Sequence, residues 1–154
     1  VRVDQLLFDV KKTVEGINPK AKIFINTELL PDNPLSLKVK GSEQLLHLAF
    51  SNLISNGCKY SDNQLVNISI GVTDKEILVI ITDRGIGIPQ AEIKYIYDPF
   101  FRASNTRNYE GYGIGLPLTQ NIIRMHRGSI KVDSTEKKGT QVEVRLPIGQ
   151  FNLG

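Results

Sequence analysis

The spacing of hydrophobic residues changes several times along this chain, and each change marks a structural element. Leu7, Val10, Val14 and Ile17 recur at helical spacing behind Asp4, which predicts an amphipathic helix over about 4–17 with Asp4 as its N-cap. Gly16, Asn18 and Pro19 end it. Ile23 and Ile25 alternate with Phe24 and Asn26 as a strand does, and Pro31-Asp32-Asn33-Pro34 turns the chain into a second short strand expected from Leu35 to Val39. Gly41-Ser42 then opens a long helix over about Glu43 to Gly57. Val66, Ile68, Ile70 and Val72 alternate strictly. After Thr73-Asp74-Lys75, the apolar run Ile77 to Ile81 suits a buried central strand, so the two form a hairpin.

Pro89 introduces a short helix expected from Gln90 to Tyr97, whereas Ala103 to Gly113 is polar, glycine-bearing and aperiodic, as a mobile loop is. Leu116 to Arg127 returns to helical spacing, with Pro117 in the permitted first turn and Gly128 just past the end. Ile130 and Val132, the turn Glu136-Lys137-Lys138-Gly139, and Val142, Val144 and Leu146 complete a last hairpin. The sum predicts an α/β (α+β) two-layer sandwich: one mixed, largely antiparallel sheet with its helices on a single face.

Composition narrows the picture. At 154 residues and 40% hydrophobic content, the chain can bury one core, so a single domain over 1–154 is expected. The 19 Lys and Arg against 16 Asp and Glu leave a net charge of +3, scattered with no basic arm or stripe, which argues against nucleic acid. One cysteine, Cys58, excludes an internal disulfide, and with only His47 and His126 there is no zinc pattern. No apolar run approaches the ~18 residues that span a bilayer. With no initiator Met, the chain is expected to be a piece of a longer protein, in the reducing cytoplasm and monomeric by itself.

Four segments carry chemistry. In the long helix Asn52, Asn56 and Lys59 fall within roughly 60° of one another about the axis, apart from the core face of Leu46, Phe50, Leu53, Ile54 and Gly57. A polar stripe is often only a solvated face, but Asn is a poor helix former, and amide oxygens suit Mg²⁺ while a lysine suits phosphate. Asp83, at the end of the apolar strand, leads into Arg84-Gly85-Ile86-Gly87-Ile88, where backbone can pass close to a flat ligand and the carboxylate can accept from an exocyclic amine. Gly111-Tyr112-Gly113-Ile114-Gly115-Leu116 opens a helix, where free N–H groups favour an anion. Asp98-Pro99-Phe100-Phe101-Arg102 precedes the loop, with aromatic anchors and an arginine able to reach a phosphate. Each segment alone has an ordinary structural explanation.

Their joint order is more specific. Asn52 to Ser61, Asp83 to Pro89, Asp98 to Arg102 and Gly111 to Leu116 closely resemble the N box, first glycine box, F box and second glycine box of bacterial sensor histidine kinases, members of the GHKL superfamily with its Bergerat nucleotide fold. The resemblance runs from about Glu43 to Leu146. It implies ATP and Mg²⁺ as cofactors, with Asn56 holding the metal and Asn52, Lys59 and Tyr60 lining the phosphates and nucleoside. It further implies Asp83 on the adenine amine, Gly85 in the first glycine box, and Gly87, Ile88, Leu116 and Thr140 closing the base pocket. Gly111, Gly113 and Gly115 belong to the phosphate-side box, beneath a lid of about 103–111, and Arg102, helped by Arg107, would reach the phosphates. Gly57 where Ala is usual and Ile114 for the commoner Leu are small departures.

In the superfamily's ATPases a Glu four residues before the magnesium Asn activates water; here that position is Asn52, whose amide takes no proton at neutral pH. A kinase is thereby favoured, with Asn52, Lys59 and Arg102 as the residues acting on transfer. The nucleophile would be a histidine on a dimerisation domain outside this sequence, with a response regulator downstream and a homodimeric, membrane-anchored parent. Neither His47, expected on a helix surface, nor His126, expected to interact with its helix C-terminus, lies in an acceptor-like motif, and Cys58 is expected to be a packed thiol. The alternatives are a nucleotide-binding regulatory module without transfer activity, or a GHKL-type ATPase.

Overall fold

The structure, a computed structural model, describes residues 1–106, 109 and 115–149. Helix α1 (Val3–Ile17) leads to strand β1 (Lys22–Asn26), a 3₁₀ turn (Pro34–Leu37) and the long helix α2 (Glu43–Tyr60). Strands β2 (Leu65–Val72) and β3 (Glu76–Asp83) follow, then short 3₁₀ turns at Gln90–Tyr95 and Ser104–Thr106, helix α3 (Gly115–Met125), and strands β4 (Ser129–Thr135) and β5 (Gly139–Pro147). The five strands form one sheet in the order β1-β2-β3-β5-β4. Only β1 and β2 run parallel; every other pair is antiparallel.

Period-2 alternation explains the layering. Val66, Ile68 and Ile70 of β2, Ile77, Val79 and Ile81 of β3, and Val142, Val144 and Leu146 of β5 all point to one face and are buried. Against that face pack Leu7, Val10 and Val14 of α1, Leu46, Phe50, Leu53 and Ile54 of α2, and Ile122 and Ile123 of α3, in one apolar cluster. The expected sandwich with helices on a single face is therefore found.

Several local expectations change. Asp4 is not the N-cap of α1: that position is Arg2, and Asp4 sits within the first turn, paired with the Arg2 guanidinium at 2.7 Å. A carboxylate there is still favourable, because it faces the unpaired N–H groups of the helix start. The strand expected over Leu35–Val39 is a 3₁₀ turn, capped by the Asn33 side chain accepting from the Leu35 N–H; the segment touches a neighbour only through one antiparallel bridge, Arg2 to Lys38. Pro34, at the start of the turn, sets a φ that suits it, and the alternation of Leu35, Leu37 and Val39 misled. Helix α2, capped by Ser42 through the Leu45 N–H, runs three residues beyond Gly57, so Lys59 and Tyr60 lie in its last turn. The helix expected over Gln90–Tyr97 is a 3₁₀ element of six residues.

Candidate functional site

Helix α2, the segment after β3 and the start of α3 converge at one end of the sheet. Segment 84–88 is bracketed from both sides: the Ile86 N–H donates to the Tyr60 carbonyl at the end of α2, at 3.0 Å, and its carbonyl accepts from the Lys137 N–H in the β4–β5 turn, at 2.6 Å. Two glycines allow this. A Cβ on Gly85 would stand 2.4 Å from the Tyr60 carbonyl oxygen, and Gly87, at φ 69°, would put one 2.0 Å from the Thr135 carbonyl oxygen. No other residue type fits either place without moving backbone.

The convergence leaves a cavity of about 250 Å³. Asn56, Lys59 and Tyr60 line it from α2, Asp83, Gly87 and Ile88 from the β3 end, Gly115 and Leu116 from the start of α3, and Thr140 from β5, with Arg102 at its edge. These come from five separate stretches of sequence. Asn52 and Gly85 are not among the lining residues. Asn52 stands one turn back on α2, its Nδ2 3.4 Å from Thr119 Oγ1 on α3, while Gly85 serves the wall behind Asp83. Gly111 and Gly113, like Arg107 and Ile114, lie outside the described residues.

Sequence reasoning missed the cavity's apolar lining: Ile86, Ile96, Phe101, Val132 and Val142, with Leu53 and Ile81 from the sheet and helix core. Alternation identifies Ile81 and Val142 as inward-facing, but not that they share a cavity with residues of α2 and α3. A flat aromatic ligand would find apolar walls here with a few polar groups set among them, as small-molecule sites commonly provide.

Asp83 is a half-buried carboxylate in the cavity wall. Burial pushes its carboxyl above the ordinary carboxylate range, while the backbone of Gly85 and of Thr140 pulls it back; the Gly85 N–H donates to Asp83 Oδ1 at 2.8 Å. Thr140 faces Asp83 across the β3–β5 ladder. Behind them Cys58 is buried, as expected of a packed thiol, and its pKa is raised first by burial and then by the Asp83 charge. A thiol held neutral in this way is a poor nucleophile.

The loop after Arg102 lacks apolar periodicity, yet its described part is tied down by polar contacts. The Ser104 N–H and Oγ bond the Glu92 carboxylate at 2.9 and 2.8 Å, and Asn105 Nδ2 donates to the Gly87 carbonyl at 2.9 Å. Arg102, expected to reach outward for a phosphate, donates here to the carbonyls of Thr106 and Tyr109. Tyr109 packs edge-on against Tyr60, ring centroids 5.1 Å apart, and its hydroxyl lies 3.2 Å from Asp62 Oδ1. Among the described residues no group of three or more His, Cys, Asp or Glu could hold a metal ion. A divalent ion in this cavity would take most of its ligands from a nucleotide and from water, the usual habit of Mg²⁺.

Both histidines are occupied structurally. His47 bridges α1 and α2 through Thr13 and Ser51, each at 3.3 Å, so it is more than a surface residue. His126 contacts the Ile122 carbonyl of its own helix and also the backbone N–H of Ser42.

Comparison with known proteins agrees with this geometry. Residues 41–150 match the family described as histidine kinase-, DNA gyrase B-, and HSP90-like ATPase, and the chain belongs to that family. It is 34% identical to the sensor histidine kinase RcsC of Escherichia coli (strain K12) over 120 residues, which are 77% of this chain and 12% of RcsC. It is 36% identical to the sensor histidine kinase WalK of Bacillus subtilis over 123 residues, 77% of this chain and 20% of WalK. It is also 34% identical to the heme sensor protein HssS of Staphylococcus epidermidis over 147 residues, 95% of this chain and 30% of HssS. The chain thus spans less than a third of each of these relatives. The structure of a mycobacterial sensor histidine kinase, MprB, shares the fold, with a TM-score of 0.82 at 23% identity and 96% of both chains covered.

Proposed function

We propose that this member of the family is the catalytic and ATP-binding domain of a sensor histidine kinase, and that it holds Mg²⁺-ATP in the cavity between α2 and α3. One observation carries the reading: a half-buried carboxylate, Asp83, lines the same largely apolar cavity as an asparagine, a lysine and the start of a helix, Asn56, Lys59 and Gly115. A purine with an exocyclic amine fits the carboxylate and the apolar walls, and a chain of phosphates fits the lysine and the helix start.

In this reading Asp83 and Thr140 meet adenine, Leu116 and Ile88 cover its faces, and Asn56 supplies an amide oxygen to the metal, whose charge offsets that of the phosphates. Lys59, with Arg102 once released from its loop carbonyls, adds positive charge to the transferred group. Asn52 is the residue that argues for transfer over hydrolysis: its amide cannot take a proton from water, and its Nδ2 is directed at Thr119 Oγ1. The chain positions the nucleotide and leaves the nucleophile to a histidine on a separate dimerisation domain, in a homodimeric parent that signals to a response regulator. The whole of 1–154 acts as one catalytic unit, with 103–111 as its lid, and no helix among the described residues is long and apolar enough to cross a membrane. We place it on the cytoplasmic side of the parent.

Incubation with γ-labelled ATP tests the reading. The chain should bind ATP, remain unlabelled and release only a trace of phosphate, and should label an acceptor-histidine domain from its own parent added in trans, slowly because encounter is not tethered. Stable label on the chain alone, or fast phosphate release abolished by Asn56→Ala, would reject it.

A further inference from the structure

Asp83, Thr140 and Ser134 lie in one row across three adjacent strands, since Asp83 pairs with Thr140 and Thr140 with Ser134. Ser134 has no place in the base-pocket reading above. It is 6% exposed, and it does not line the nucleotide cavity.

Its hydroxyl nevertheless has three partners. The Ile88 N–H donates to Ser134 Oγ at 2.8 Å, Ser134 Oγ donates to the Gly139 carbonyl at 3.0 Å, and Thr140 Oγ1 lies 2.7 Å from Ser134 Oγ. A serine hydroxyl has one proton and two lone pairs. The Gly139 carbonyl can only accept, so it takes the Ser134 proton. The Ile88 N–H can only donate, so it takes one lone pair. The remaining contact closes only if Thr140 gives its proton to the second lone pair of Ser134. With that proton committed, the Thr140 oxygen can only accept from the cavity.

We infer that Ser134 is a specificity-determining residue at one remove: by holding the Thr140 proton, it makes Thr140 a fixed acceptor beside the Asp83 carboxylate. The row then offers the base two acceptors and no side-chain donor. A ring edge bearing an amine matches it, and one bearing a carbonyl leaves two acceptors facing a third. Ser134 is a positioning residue, because it touches Thr140 and not the base. The inference rests on the assignment of this cavity to a purine nucleotide.

The measurement is the ratio of ATP to inosine triphosphate affinity by calorimetry, without metal, for the whole chain. These nucleotides differ at purine position 6, amine against carbonyl, with a proton added at the neighbouring ring nitrogen. Ser134→Ala should lower the ratio by about fivefold or more, the weight of one neutral hydrogen bond, because the freed Thr140 hydroxyl can turn and donate to the carbonyl. Adding Ser134→Ala to Thr140→Ala should change the ratio no further, and Ser134→Thr, which keeps the hydroxyl, should retain the wild-type ratio. If Ser134→Ala does not fold, Ser134→Cys, a weak acceptor of the same shape, should show a smaller fall. Equal weakening of both nucleotides, with the ratio unchanged, would overturn the inference and leave the cavity assignment standing. A wild-type chain indifferent to the two bases would overturn both.

Discussion

His126, the residue after α3, accepts the backbone N–H of Ser42 on its Nε2 at 3.0 Å, and so ties the end of one helix to the residue that caps the start of another. Its Nδ1 lies 2.7 Å from the Ile122 carbonyl, which can only accept, so the tautomer that satisfies both contacts carries its proton on Nδ1. The two helices joined in this way carry Asn56 and Gly115, on opposite sides of the cavity.

Replacement of His126 by Ala should therefore cost about 1–3 kcal/mol of unfolding free energy, because the Ser42 N–H loses the imidazole that accepts it in a half-buried place. Urea unfolding measures it. A loss confined to the few tenths of a kcal/mol typical of surface sites would show that the tie is incidental.

Asp83→Asn should move binding and stability in opposite directions. Burial raises the Asp83 pKa, so between its unfolded and folded values the native state binds more protons than the unfolded one, and stability falls as pH rises through that window. At neutral pH the ionised carboxylate is a net cost to the apo chain. The amide should raise the melting temperature of the nucleotide-free protein and flatten its decline above the ordinary carboxylate range, while ATP affinity drops roughly 10- to 150-fold with the charge-assisted bond. Calorimetry and thermal melts across pH 4–8 separate the two effects. Unchanged ATP binding would remove Asp83 from the base pocket.

Asn56→Ala should weaken Mg²⁺-ATP binding about tenfold and leave metal-free ATP nearly unaffected, because the base end of the cavity is formed by other residues. Titrations with and without Mg²⁺ decide it. Equal losses in both would mark Asn56 as structural.

The loop ties make a further distinction. Arg102→Ala removes the donor to the Thr106 and Tyr109 carbonyls, and Tyr109→Ala removes the ring against Tyr60 and the hydroxyl beside Asp62. Each should speed protease cleavage within 103–111 in the apo chain severalfold, with ATP restoring protection less fully than in the wild type. A cleavage rate insensitive to both replacements and to nucleotide would count against a lid.

Much of this protein could be read from the residues alone, for identifiable reasons. Strand period and apolar content placed β2, β3 and β5 because each has one buried face, and a one-residue slip would have exposed it; β4 was legible from the weaker alternation of Ile130 and Val132, which are partly buried. The four segments that carry the family resemblance were legible because they are patterns of residue type at short range: amides one helical turn apart, an acid before a glycine turn, an aromatic pair before an arginine, glycines before a helix. The errors fell where short-range pattern is ambiguous. Leu35, Leu37 and Val39 alternate as a strand would, yet a proline and an asparagine cap turned them into a 3₁₀ turn.

Other features depend on contacts between residues far apart in sequence, which no local pattern contains. The cavity forms where α2, the β3 end and the start of α3 meet, so Val132 and Val142 become lining residues while Asn52, sharing a helical stripe with Asn56, is left beside Thr119. Ser134 is an ordinary serine in an alternating strand. Only the register that sets it beside Thr140, and a loop that brings the Ile88 N–H onto the same oxygen, decide where its proton goes, because a hydroxyl's direction is set by its partners and not by its sequence.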